Sequence, residues 1–190
     1  MNNPLSFYKN KLNLYQLEVA SLNKQLIGLS TLRLLVFVIT VITIYFTLTT
    51  WQAATVIGIL GATSFIYLLS KYTDIKYQRD LAKALVNIND EELKIASGSF
   101  HHRSEGLEYQ DPNHFYSLDI DLFGRGSFFQ FINRTAINEG TNKLAKALLA
   151  NNTEEIKQRQ EAIKELADKA DWRQNYTAKA QLVKVETPAI

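Results

Sequence analysis

Cysteine is absent from the 190 residues, so disulfides and thiolate metal ligands are excluded and redox chemistry leaves the compartment unconstrained. Charge is absent from Leu34 through Ser70, a run about twice the roughly 20 residues that cross a bilayer once. A basic surplus is also missing where nucleic-acid binding would need one. The formal net charge of +2 is split, with Lys9, Lys11, Lys24 and Arg33 set against Glu18 alone before residue 34. After the uncharged run, 17 basic residues face 18 acidic ones. A region that grips nucleic acid by itself shows a clear basic excess, which disfavours a soluble DNA-binding protein in its own right.

Nucleotide fingerprints are missing too. No Gly, four residues, Gly-Lys-Ser/Thr string occurs, so the chain has no phosphate loop of that kind. Gly124-Arg125-Gly126-Ser127 is not a dinucleotide fingerprint, because no predicted strand precedes it and the third glycine is lacking. Asp119-Ile120-Asp121 could hold a divalent cation beside a nucleotide sugar, but a lone Asp-x-Asp with about seventy residues after it cannot supply an α/β nucleotide domain.

What is present begins with the uncharged run. Thr49-Thr50-Trp51-Gln52 near its middle suits an interfacial turn, with Tyr45 and Trp51 as amphipathic anchors. This divides residues 34–70 into a transmembrane hairpin of about 34–49 and 53–70, each at the short end of a spanning helix. Gly58, Gly61 and Ala62 give the second segment a small-residue face for close helix contact. Lys24 and Arg33 before the run, and Lys71, Lys76 and Arg79 after it, place both flanks on the cytoplasmic side. Arg33, Trp51 and Lys71 are the expected membrane-interface residues. The apolar run starts too far in for a signal peptide and lacks a small-residue cleavage site. The competing reading, a buried hairpin in a soluble core, has to accommodate an uncharged run unusual for such cores.

Residues 1–33 read as an amphipathic cytoplasmic helix. Leu5, Tyr8, Leu12, Tyr15, Val19, Leu22, Leu26 and Leu29 recur at alternating spacings of three and four, a coiled-coil seam, and Pro4 fits a first helical turn. Residues 71–98 form a second cytoplasmic helix with a weaker stripe at Tyr77, Leu81, Ala84 and Ile88, ended by Ser97-Gly98-Ser99. An antiparallel intramolecular pair is preferred over a homodimerising coiled coil, because the flanking heptad positions carry few complementary charges. Residues 99–117 have turn formers and no sustained period, and read as a linker or irregular loop. His101, His102 and His114 lie there without regular spacing, which favours a solvated loop over a metal site.

Residues 118–176 read as short helices. Gly124 and Gly126 make a turn and Ser127 is an N-cap. Phe128, Phe131 and Ile132 are expected on one face of the helix that follows, with Phe129 beside them. Asn133-Arg134-Thr135 ends it, Thr135 caps the next, and Leu144, Ala147 and Leu148 lie on that second helix. Asn152 with Glu155 suggests a further N-terminus. Ile156, Gln160, Ile163, Ala167 and Ala170 are spaced along a third helix, supported by Glu155–Arg159 and Glu165–Lys169 pairs. No catalytic, cofactor-binding or metal-binding group is evident.

At these residues the sequence resembles the MutS family of mismatch-repair ATPases, at the start of its helical core or lever domain. The resemblance is carried by Asp121-Leu122-Phe123, Ser127-Phe128-Phe129, Ile132-Asn133-Arg134-Thr135, Gly140, the leucine-rich Leu144–Leu149, and Ile156–Leu166 with Arg159 and Gln160 at its centre. It covers about residues 116–176, and the order of the motifs is specific although each piece is not. The hairpin in front resembles a membrane-anchored subgroup. The chain departs from the family in lacking any Phe-x-Glu wedge, in having Ile137 where many relatives have threonine, and in having no proline after Leu149.

The resemblance implies ATP-coupled action on DNA, with ATP and magnesium bound by a full-length member and no cofactor bound here. It implies the N-terminal part of a longer polypeptide, with residues 177–190 as a truncated tail, and a structural role for the motif residues. The expected fold is all-α: a two-helix transmembrane hairpin with flanking cytoplasmic helices, then a small helical segment resembling the start of a MutS core or lever domain. The expected partners are the lipid bilayer, DNA only through domains outside this chain, and a second copy if the coiled coil pairs. No small-molecule substrate is evident. The alternative is a free-standing two-span membrane protein whose cytoplasmic helices bind a protein partner.

Overall fold

The computed structural model describes residues 3–150 and 154–183. All regular structure among the described residues is helical: α1 (Pro4–Thr47), α2 (Trp51–Ala96), a 3-10 turn at Leu107–Tyr109, α3 (Phe128–Ile132), α4 (Asn138–Leu149), α5 (Ile156–Ala167) and α6 (Ala170–Leu182). The expected divisions at residues 33 and 70 are not breaks. The amphipathic segment and the first apolar segment share one helix, and the second apolar segment runs on into the charged helix that follows. Helical backbone can pass from apolar to polar surroundings uninterrupted because its hydrogen bonds are internal.

At the start of α1 the Asn3 side chain accepts from the Leu5 amide at 3.0 Å, and Pro4 needs no amide partner in the first turn. The turn at residues 48–50 is closed by the Thr50 amide on the Thr47 carbonyl at 3.0 Å. α2 stops where Gly98 takes φ +83, a left-handed conformation that favours glycine.

The described residues divide into two compact units, 13–83 and 3–12 with 84–183. In the first, α1 and α2 run antiparallel. The less exposed positions of α1 are Tyr15, Val19, Leu22, Leu26, Leu29, Arg33, Val36 and Thr40, and those of α2 include Ala54, Gly58, Gly61, Phe65, Leu68, Tyr72, Ile75, Arg79 and Ala82. Both series alternate steps of four and three, so one seam continues through the uncharged stretch. Gly61 lies directly against Thr40, and a Cβ on Gly58 would stand 3.8 Å from Ile44. Small residues let the two backbones approach where lipid-like side chains offer no hydrophobic gain. Thr40, Thr43 and Thr63 donate their hydroxyls to carbonyls four residues earlier, at 2.7, 2.8 and 3.0 Å, so these three hydroxyls are matched within their own helices.

The outward side chains of this unit are large and apolar: Leu34, Phe37, Ile39, Phe46, Ile59 and Leu60 are all exposed. Both helices are long and apolar enough to cross a membrane, and neither apolar window has any buried share. Tyr77, expected on the buried stripe of α2, is exposed instead, and the seam passes through Ile75, Arg79 and Ala82.

The second unit has its core at Leu122, Phe123, Phe129 and Ala145, with Tyr109, Tyr116, Leu144, Leu148 and Leu149 packed against it. Residues 99–117 are irregular in backbone, as the turn formers imply, but they are packed rather than free. Tyr109 and Tyr116 flank the core, and Gly106 approaches Phe129 so closely that a Cβ there would lie 2.6 Å from the ring. The aromatic face of α3 is the reverse of the one expected. Phe129 is fully buried whereas Phe128 and Phe131 are exposed, because Ser127 caps the helix and presents Phe129 to Phe123 at a ring separation of 5.2 Å.

Two further expectations are corrected by the local geometry. Thr135 is not the cap of α4. That helix begins at Asn138 with Ile137 in the cap position, while the Thr135 hydroxyl donates to Asn133 Oδ1 at 2.7 Å. The third expected helix is two, because α5 ends at Ala167 and Ala170 opens α6. Glu155 takes φ +60 just before α5, so Arg159 donates to the Glu154 carbonyl at 2.6 Å rather than pairing with Glu155. Lys169 pairs with Glu165 at 2.6 Å, as the spacing predicts. Asn152, the expected cap, lies outside the described residues.

Candidate functional site

Six ionisable residues of the second unit, Glu91, Glu92, Lys94, His102, Arg103 and Arg134, meet in one patch formed by the C-terminal part of α2, the loop after it and the Asn133–Thr135 turn. The patch begins with consecutive acids, Glu91 and Glu92, near the end of α2. Glu92 receives a two-point contact from Arg134, with Nε on Oε1 at 2.6 Å and Nη2 on Oε2 at 3.2 Å. The planar fork of arginine suits this geometry, which a lysine cannot reproduce. Glu91 accepts from His102 at 2.7 Å, Lys94 at 3.0 Å and Arg103 at 3.4 Å. Burial pushes the Glu91 carboxyl up, but its contacts with His102 and Lys94 outweigh burial and hold it below the usual carboxylate range.

Arg103 and Arg134 both reach the Asn133 carbonyl, Arg103 through Nη2 and Arg134 through Nη1. Burial, followed by the neighbouring positive charge of Arg134, lowers the Arg103 pKa, with Glu91 and Glu92 acting against it. Two guanidinium groups held together in this way need the two adjacent acids. Asn133 fixes the turn, because its Oδ1 accepts from both the amide and the hydroxyl of Thr135, at 3.0 and 2.7 Å. The Thr135 hydroxyl then meets that of Thr141 on α4 at 2.7 Å.

Two clefts flank the patch. One of about 460 Å³ is lined by Tyr8, Glu92, Arg134, Trp172, Arg173 and Tyr176 among others. The other, of about 680 Å³, lies between Glu91, His102, Arg103, Asn133 and Asn142. In the first, burial and then the Glu92 charge raise the Tyr8 hydroxyl pKa, against the lowering effect of Arg173 and Arg134. Trp172 and Tyr176 stack at 5.4 Å with an interplanar angle of 14°, and both are exposed. Behind this cleft Asn89 and Gln174 exchange amide hydrogen bonds at 3.3 and 2.9 Å while fully or almost fully buried, joining α2 to α6. Lys11 of α1 pairs with Asp171 of α6 at 2.6 Å.

The motif residues fall in two groups, one in or beside the core and one exposed. Leu122, Phe123, Ser127, Phe129 and Asn133 are buried, Arg134 and Thr135 are half-buried at the ionic patch, and Gly140 packs beside Thr135. Asp121 is exposed at φ +47 in the turn before the core. Arg159 and Gln160 are exposed on α5, away from that cluster. Arg33, Trp51 and Lys71 belong to the other unit. Trp51 is exposed at the hairpin turn, and Arg33 and Lys71 border the uncharged stretch.

No group of three or more His, Asp or Glu residues able to hold a metal occurs among the described residues. His114 has a structural task. Its Nε2 donates to the Leu149 carbonyl at 3.0 Å and its Nδ1 accepts from the Ser117 amide at 3.2 Å, which fixes the tautomer. With Tyr116, whose hydroxyl donates to the Leu148 carbonyl at 2.6 Å, it satisfies the open carbonyls at the end of α4.

Sequence reasoning missed Glu91, Glu92, Arg103, Gly106 and Gln130. Gln130 is fully buried, accepts from the Gly126 amide at 2.7 Å and donates to the carbonyls of Arg103 and His101 at 2.7 and 3.2 Å. Their long-range contacts join positions 11 to 42 apart, so no local pattern announces them. No family model, curated protein or solved structure matches the chain.

Proposed function

We propose that the chain is the membrane anchor and helical platform of a MutS-like DNA-binding ATPase, with ATP, magnesium and DNA held by parts outside these residues. The anchor is carried by one observation: two adjoining helices present an uncharged apolar exterior with none of either window buried. Exposed apolar surface on that scale costs too much in water to be left uncovered, and a bilayer covers it without a protein partner. The basic residues bracketing both outer ends favour two spans of the inner or cytoplasmic membrane with both termini cytoplasmic.

The MutS-like part of the reading rests on the resemblance. It is supported by the way Leu122, Phe123, Ser127, Phe129 and the Asn133–Thr135 turn join one core and its ionic border, as a domain-building signature would. The role this assigns to them is structural. The test is an antibody to residues 99–190 applied to membranes of the native cells. A membrane band several-fold heavier than 21.7 kDa, carrying ATPase activity, is expected. A band extracted by alkaline carbonate would sink the anchor.

A second reading is a free-standing two-span scaffold for a protein partner. It is favoured by α5, which buries no residue and leaves Ile156 and Ile163 exposed. An embedded band at 21.7 kDa would select it over the first.

A further inference from the structure

The geometry points to a phospholipid-headgroup site at the charged end of the α1–α2 hairpin, built on Arg33, with Lys71 adding positive charge at a similar depth. The inference rests on the membrane-hairpin reading and adds a ligand to it. Arg33 occupies a seam position of α1, where the series otherwise carries apolar or small side chains. It is half-buried there, with its guanidinium carbon 5.6 Å from the centre of the Phe65 ring and 5.4 Å from that of Tyr72. Both distances fall within the range over which a ring face attracts a cation. Among the described residues, no carboxylate lies within ion-pair distance of Arg33, and no protein acceptor takes any of its guanidinium N–H groups.

The rings hold the cation in place but accept none of its hydrogen bonds in the plane. A guanidinium fixed in this way presents its donor edge to whatever anion lies alongside, and its fork matches a phosphate. Lys71 stands at the matching end of α2, its ammonium 5.9 Å from the Tyr67 ring and likewise without an acid in ion-pair range. Arg33 is the last charge before the apolar run and Lys71 the first after it. In the antiparallel pairing Arg33 lies near the level of Leu68, so Lys71 is only about 4.5 Å further along the axis. That is the depth at which a bilayer offers phosphates.

Residues 13–83 hold six basic side chains against three acidic ones, which favours an anionic lipid over a zwitterionic one. Of the acids, Asp80 is paired with Arg79 at 2.8 Å. A planar donor edge with a further positive charge at a similar depth fits a headgroup with a phosphate diester and no compensating ammonium, as in phosphatidylglycerol.

The test uses the full chain reconstituted with equal phosphatidylglycerol and phosphatidylcholine, followed by native mass spectrometry of the lipids it retains. Wild-type protein is expected to retain phosphatidylglycerol preferentially. Arg33→Gln and Lys71→Gln should each cut the preference about five-fold, the effect of one cation near an anionic surface. Lys24→Gln, about 13 Å further along α1, should leave it unchanged. Arg33→Lys should restore only part of the preference, since it keeps the charge and loses the fork. Equal retention of both lipids by wild-type protein overturns the site without any variant having to fold. A preference that survives the paired Arg33→Gln and Lys71→Gln changes overturns it as well, and so does inorganic phosphate displacing the lipid, which would mark a free-anion site. Insertion into both lipids with no preference removes this inference and leaves the anchor standing, whereas failure to insert removes both.

Discussion

Replacing Gly106 by alanine tests the packing of residues 99–117 most directly. Gly106 has φ +68, and a Cβ there would lie 2.6 Å from Cδ1 and Cε1 of Phe129 and 3.0 Å from Cδ1 of Phe123. The left-handed backbone alone costs alanine about 1–2 kcal/mol. Forcing a methyl into a filled core adds about 1–3 kcal/mol, and neither ring can move freely because each packs on the other and on Tyr109. The expected loss is about 3 kcal/mol, or roughly a hundredfold in the opening equilibrium. Hydrogen exchange at the Leu122 and Phe129 amides of the full chain in detergent reads it directly, since these amides bond to the carbonyls of Ser117 and Leu122. Gly98→Ala is the control. Gly98 has φ +83 with nothing within 4 Å, so only the backbone cost applies. Equal losses for the two variants, or protection at Phe129 within about threefold of wild-type, would refute the ring contact and return residues 99–117 to a loose linker.

Other perturbations address the polar groups. Gln130→Ala removes the partner of three backbone groups, and urea unfolding should show a loss of about 3 kcal/mol, with less than about 1 kcal/mol arguing against a buried pin. A double-mutant cycle on Glu92→Ala and Arg134→Ala should give a coupling near 1 kcal/mol, and additive losses would mean that the two-point contact does not persist in solution. Glu91 is held below its usual pKa in the fold, so its contribution is present above the unfolded value near 4.5 and is lost as pH falls through the lower folded value. Acid titration of stability should therefore be shallower in Glu91→Gln, and an unchanged slope would contradict the His102 and Lys94 contacts. Gly61→Leu should separate the two helices at Thr40, and disulfide trapping of a cysteine pair introduced across that level should fall; undiminished trapping would count against the close approach.

The sequence by itself determined the helical class, the paired apolar segments and the local punctuation. These follow from short-range rules: charge absent over residues 34–70, a three-four spacing down α1, Ser127 as a cap, and Gly98 past the end of α2. Each is written within a few residues, where helix geometry and turn preferences act. Tertiary structure alone decided which face of α3 is buried, because Phe128, Phe129 and Phe131 are chemically alike and only the position of Phe123 and Gly106 distinguishes them. It likewise decided that Glu91 and Glu92 meet Arg103 and Arg134, and that Arg33 lies between Phe65 and Tyr72. Those contacts join positions some ten to forty residues apart. Their energies depend on burial and on the geometry of both partners, and a linear reading of residue types contains neither.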